Sequence, residues 1–125
     1  MVRGLSVLAA IAAITACSSP SAPTSDLIMA SAESQALDLK NMSDETVYFF
    51  VAERGALALL DFAICNDPSK CDSVAPGARR KVPYSGVVGY SRSSEQAVVF
   101  HWRLVAKGGG KYEHDAIRTL IVQLR

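Results

Sequence analysis

The chain has 125 residues, half of them hydrophobic, with 13 Lys and Arg against 12 Asp and Glu. That length holds one ordinary domain at most. The near-zero charge argues against a polyanion partner, because nucleic-acid affinity rests largely on a basic excess that neutralises phosphates.

Arg3 precedes an apolar run from Leu5 to Ile14 that closes on the small residues Thr15 and Ala16. The run is far short of the ~20 apolar residues that anchor a chain across a bilayer, so residues 1–16 read as an export signal. Ile14-Thr15-Ala16-Cys17 resembles the lipobox of bacterial lipoprotein signal peptides: aliphatic, small, small, Cys. The resemblance implies cleavage before Cys17, a diacylglyceryl group and fatty acid such as palmitate on that residue, and a mature chain held to the membrane. Ser18, not Asp, follows the lipidated position, which by the same analogy implies the outer membrane of the cell envelope as destination. The 109 residues that follow the signal carry equal numbers of basic and acidic residues.

Residues 17–35 are expected to form a flexible tether. Ser18-Ser19-Pro20-Ser21-Ala22-Pro23-Thr24-Ser25 is too polar and proline-bearing to bury apolar surface, and residues 26–35 read as more tether or a short helix. The folded part is then residues 36–125. With Cys17 lipidated, Cys65 and Cys71 remain as a pair outside the cytosol, where disulfides persist. They bracket the turn-rich Asn66-Asp67-Pro68-Ser69-Lys70, and their spacing is not that of thioredoxin-type or zinc motifs. A structural disulfide is expected.

Residues 36–40 alternate apolar and polar as a half-buried strand does. Residues 46–53 are β-branched and aromatic on both faces, which predicts an interior strand. Ala and Leu in residues 56–64 favour helix, but the flanking breaks and nine-residue length favour a strand, the reading preferred here. Val74-Ala75-Pro76-Gly77 reads as a turn into a strand over residues 79–84, placed at a sheet edge by Pro83, which lacks an N–H. Residues 97–105 form the strongest strand: Val98, Phe100, Trp102 and Leu104 share one face, expected to be core, and Val99, His101, Arg103 and Val105 a mixed one. Gly108-Gly109-Gly110 predicts a hairpin-like or flexible connection, and residues 117–124 a last strand with Leu120, Val122 and Leu124 inward.

This pattern predicts an all-β chain, a single small antiparallel β-sandwich of about seven strands. Asn41 followed by Val47 and Tyr48, then Val74-Ala75-Pro76-Gly77 before Val82, resembles the Asn…Val…Pro-Gly…Val pattern of immunoglobulin-like sandwiches in bacterial surface proteins. The resemblance favours a sandwich over a barrel and brings no active site.

Candidates for chemistry are few. His101 and His114 are the two histidines; as metal ligands they lack a third ligand at a fixed local spacing. No Gly-x-Ser-x-Gly elbow or phosphate-binding loop is present. No catalytic residue, metal or cofactor is therefore assigned. The basic run Arg79-Arg80-Lys81 reads as a solvated strand end. The aromatic residues at strand period read as core, and Tyr48, Tyr84, Tyr90 and Tyr112 as nearer the surface. The expected function is a membrane-tethered, non-enzymatic envelope lipoprotein that binds, inhibits or spaces an envelope protein, with a small envelope hydrolase or metal-binding protein using His101 or His114 as the alternative.

Overall fold

The computed structural model describes residues 22–124, so the leader, the lipobox and Cys17 lie outside the described residues. The β-branched and aromatic segments form β1 (Ile28–Ala32), β2 (Ala36–Asn41), β3 (Val47–Glu53), β4 (Ser73–Val74), β5 (Arg79–Pro83), β6 (Gln96–Trp102), β7 (Leu104–Gly108), β8 (Lys111–His114) and β9 (Arg118–Gln123). One sheet has the order β1-β2-β5 and the other β4-β3-β6-β9, while β7 and β8 form a separate hairpin. Every ladder is antiparallel.

The two sheets bury Ile28, Ala30, Leu37, Leu39 and Val82 of the first against Val47, Phe49, Val51, Ala97, Val99, Leu120 and Val122 of the second. This is the small antiparallel β-sandwich that the strand pattern predicts, with seven strands in its two layers and the hairpin added. β3 is an interior strand, as its two apolar faces require. β5 lies at an edge and stops at Pro83. Asn41, fully buried, ties the two sheets together. Its amide donates to Glu45 O at 2.7 Å and to Val74 O at 2.9 Å, and its Oδ1 accepts from the N–H and the hydroxyl of Ser43.

Four expectations are corrected. The folded part begins well before Ala36, because residues 28–32 of the expected tether form β1, and Leu27, Ile28 and Ala30 are buried in the core. Met29, Ser31 and Ala32 fill the remaining positions of that strand, so its alternation is faint. Residues 56–64 are not a strand. A 3-10 helix, Arg54–Leu59, follows β3, and irregular chain continues to the cysteine loop. Glu53 caps that helix, its carboxylate accepting from the N–H of Gly55 and of Ala56 at 2.9 Å each, so the local cap overrides strand propensity. The long strand 97–105 is divided at Arg103, whose N–H donates to the Asp115 carboxylate at 2.8 Å.

The last correction concerns which face of β6 is core. Val99 and His101, on the face expected to be mixed, point between the sheets. Val98, Phe100 and Trp102 point outward, where residues 54–72 cover them. Phe62 stacks on Phe50 at 4.4 Å and meets Phe100 edge-on at 5.4 Å, and the Trp102 indole N–H donates to Cys65 O at 3.0 Å. Both faces of β6 are apolar, so period-two alternation could not say which one meets the opposite sheet.

Candidate functional site

The chain beyond β6 and the chain before β4 build two projections that flank a cleft. The first is the cysteine loop. Cys65 and Cys71 form the expected disulfide, with Cα atoms 5.7 Å apart. Inside the ring Asp67 makes an Asx-turn: its carboxylate accepts from the Ser69 N–H at 3.0 Å and hydroxyl at 2.7 Å, and its carbonyl accepts from Lys70 and Cys71 N–H. The Ser69 hydroxyl, then the Ser69 N–H, hold the Asp67 carboxyl below its ordinary range. The Trp102 indole pins the loop to the outer face of the sheet.

The second projection is the β7–β8 hairpin. Gly108, Gly109 and Gly110 all take positive φ, at 90°, 65° and 76°, a conformation that a side chain would strain. Its base is clamped by Asp115, which accepts from Arg103 N–H and Nε at 2.8 Å each and from Arg118 at 3.1 Å, while Arg103 also reaches Glu45 at 3.0 Å. Burial works to raise the Asp115 pKa, but these hydrogen bonds and the two guanidinium charges hold it below the ordinary value.

The cleft between loop and hairpin has a volume of about 840 Å³. Asn66, Asp67, Pro68 and Ser69 form one wall; Lys107, Lys111, Tyr112 and Glu113 form the other. Lys107 pairs with Glu113 at 3.6 Å and Lys70 with Asp67 at 4.0 Å. Tyr48 lies near Tyr112, and burial, followed by that neighbour, raises its pKa. The cleft offers hydrogen-bonding groups of both charges and an aromatic ring, a lining suited to recognising a polar surface.

The histidines are not brought into this cleft. His101 is fully buried at the end of the sandwich. Its Nδ1 lies 3.1 Å from Val99 O and its Nε2 2.7 Å from Ser25 Oγ. A carbonyl only accepts, so Nδ1 carries the proton and the bare Nε2 accepts from the serine hydroxyl; burial, the largest influence, depresses the ring pKa and favours this neutral form. Ser25 Oγ in turn accepts from the N–H of Leu27 and Ile28 at 3.1 and 3.2 Å. A serine–histidine pair thus exists, but the serine oxygen is committed to two backbone amides as a turn cap before β1. His114 is exposed, its Nδ1 donating to Asp115 O at 2.9 Å. Among the described residues no three His, Cys, Asp or Glu side chains converge to hold a metal ion, and no helix is long and apolar enough to cross a membrane.

The remaining sequence candidates are distributed elsewhere. Arg79 pairs with Asp38, Arg80 with Asp72 at 3.0 Å and Lys81 with Glu33 at 2.6 Å along edge strand β5. Tyr84 is buried and stacks on Tyr90 at 5.1 Å, so it belongs to the core rather than the surface. Sequence reasoning missed the partnership of loop and hairpin, the Ser25–His101 bond and the Trp102 anchor, all of which join residues at least 37 positions apart. Comparison of the chain with protein-family models, curated proteins and solved structures finds no match in any of the three.

Proposed function

We propose that this chain is a membrane-tethered, non-enzymatic lipoprotein of the bacterial envelope, acylated on Cys17, whose sandwich presents the loop–hairpin cleft to an envelope protein as a binding or inhibitory module. The observation that carries the reading is the cleft itself. Both walls are fixed in advance, one by the disulfide, the Asx-turn and Trp102, the other by the Asp115 clamp, and preformed walls lower the ordering cost of binding. The lipobox supports the anchor. The residues of the hydrolase alternative contribute nothing to the cleft, since His101 is spent inside the core.

The test is crosslinking in intact cells with the tagged chain, its Cys17→Ser form, and a cleft variant combining Asp67→Lys with Lys111→Glu. One abundant envelope protein captured by the anchored chain, and reduced at least about tenfold by the cleft variant (~1.4 kcal/mol in affinity), is the expected result. Equal capture by the cleft variant would overturn the cleft. A Cys17→Ser form that stays with membranes after a salt wash would overturn the anchor.

A further inference from the structure

We propose that the outer edge of β9 is a self-association edge, along which two copies pair β9 to β9, antiparallel about Ile121, and join their four-stranded sheets. Leu124 N–H donates to Glu95 O at 2.8 Å, and β9 is paired on one side only, to β6. In an antiparallel ladder the backbone groups of alternate residues point to opposite sides, so Leu120, Val122 and Leu124 face β6. Thr119, Ile121 and Gln123 therefore direct their N–H and C=O groups away from the sheet. Among the described residues no backbone hydrogen bond meets them. All three side chains are exposed, Ile121 at 43%.

The other edges are guarded in ways that discourage a visiting strand. The β1 edge is covered by the chain before it: Thr24 bridges to Met29, and Ala30 N–H donates to Pro23 O at 3.0 Å. The β5 edge carries Arg79, Arg80, Lys81 and Pro83, and β4 is two residues long. The hairpin strands bear Lys107, Lys111 and Glu113. From Thr119 to Gln123, β9 has no charge, proline or glycine.

The bare edge is also self-complementary. In the antiparallel register about Ile121, Thr119 lies opposite Gln123 of the second copy and Ile121 opposite its own counterpart, so no like charges meet. The nearest charge, Arg118, is held inward by Asp26 at 2.9 Å and Asp115 at 3.1 Å. A β5 edge paired to itself would instead set its cations against one another, which is destabilising. A ladder this short buries less than the ~1,200–2,000 Å² of a standard interface, so the pairing is favoured where copies are concentrated, as on a shared surface. The pairing itself does not depend on acylation.

The experiment uses the full chain in detergent micelles under mild oxidation. Opposed hydrogen-bonded residues of an antiparallel pair have Cα atoms ~5.5 Å apart, within the ~4.4–6.8 Å that a disulfide spans. Ile121→Cys should give at least about ten times the covalent dimer of Lys81→Cys on the guarded edge (~1.4 kcal/mol). Thr119→Cys should crosslink to Gln123→Cys in a mixture and not to itself, which reads the register. Without any added cysteine, Ile121→Lys should lower the dimer fraction in sedimentation. Equal dimer yields at Ile121→Cys and Lys81→Cys, or a native chain that stays monomeric at its highest soluble concentration, would overturn the proposal.

Discussion

The four-stranded sheet is covered on both faces over β3 and β6, but by two different means. Its inner face meets another sheet, and there Val47, Phe49, Val51, Val99 and Val122 interlock with Ile28, Leu37 and Leu39. Its outer face meets a 3-10 turn and irregular chain, held by one indole hydrogen bond, a trio of phenylalanines and a disulfide. The inner core is mostly aliphatic, at strand period. The outer one is made of aromatic rings, large enough to bridge from a pleated sheet to chain that has no regular pleat of its own. A sheet layer supplies its own backbone partners, whereas the irregular cover needs a cap at Glu53, an Asx-turn at Asp67 and the Cys65–Cys71 bond to stay in place. The outer cover is also the wall of the cleft, so its rigidity bears on binding.

The sharpest way to break this contrast is Trp102→Ala. Trp102 is 1% exposed although it lies on the outer face, and truncating a buried aromatic residue costs about 3–5 kcal/mol. We expect a global loss of stability in chemical denaturation together with release of the cysteine loop. If denaturation midpoints hold while only the loop loosens, the outer layer is an ornament rather than a second core.

Cys65→Ser with Cys71→Ser should have a smaller effect that stays local. A ring closed over this separation contributes about 2 kcal/mol in the chain-entropy model. Hydrogen exchange should rise at residues 60–72 and stay unchanged in β2, β5 and β9. Equal loss of protection in both sheets would show that the disulfide supports the inner core as well.

The smallest effect is a pH dependence that belongs to the inner core. Burial depresses the His101 pKa below its ordinary value of 6.5, so the unfolded chain binds that proton more readily than the folded one. The stability this neutral ring contributes is fully present above about pH 6.5 and declines as the pH falls from there toward the folded pKa. Asp26, held low chiefly by its hydrogen bond from Arg118, and Asp115 add a separate loss below their ordinary 3.8. His101→Gln should flatten the upper window and leave the lower one. Denaturant titrations across the two windows provide the check, and an unchanged upper slope in His101→Gln would remove His101 as its source.

Much of the fold was legible because strand chemistry is local. β-branched and aromatic content announced β3 in residues 46–53, alternation announced β9 in residues 117–124, Pro83 marked an edge, and the three glycines marked a hairpin-like or flexible connection. β1 was illegible because Met29, Ser31 and Ala32 mute the period, and its order depends on packing against β9 and on the Ser25 cap. Residues 56–64 misled because Ala and Leu suit several conformations, and only a cap at Glu53 and the sheet beneath them selected a 3-10 turn.

The sequence by itself determined the class of architecture, the disulfide pairing and the near-absence of net charge, since each depends on residue identity at short range. The tertiary structure alone decided which face of β6 is core, that His101 is a buried partner of Ser25 rather than a surface group, and that the cysteine loop and glycine hairpin share one cleft. Those facts turn on contacts between distant positions, and a period of two is symmetric between the faces of a strand until something packs on them.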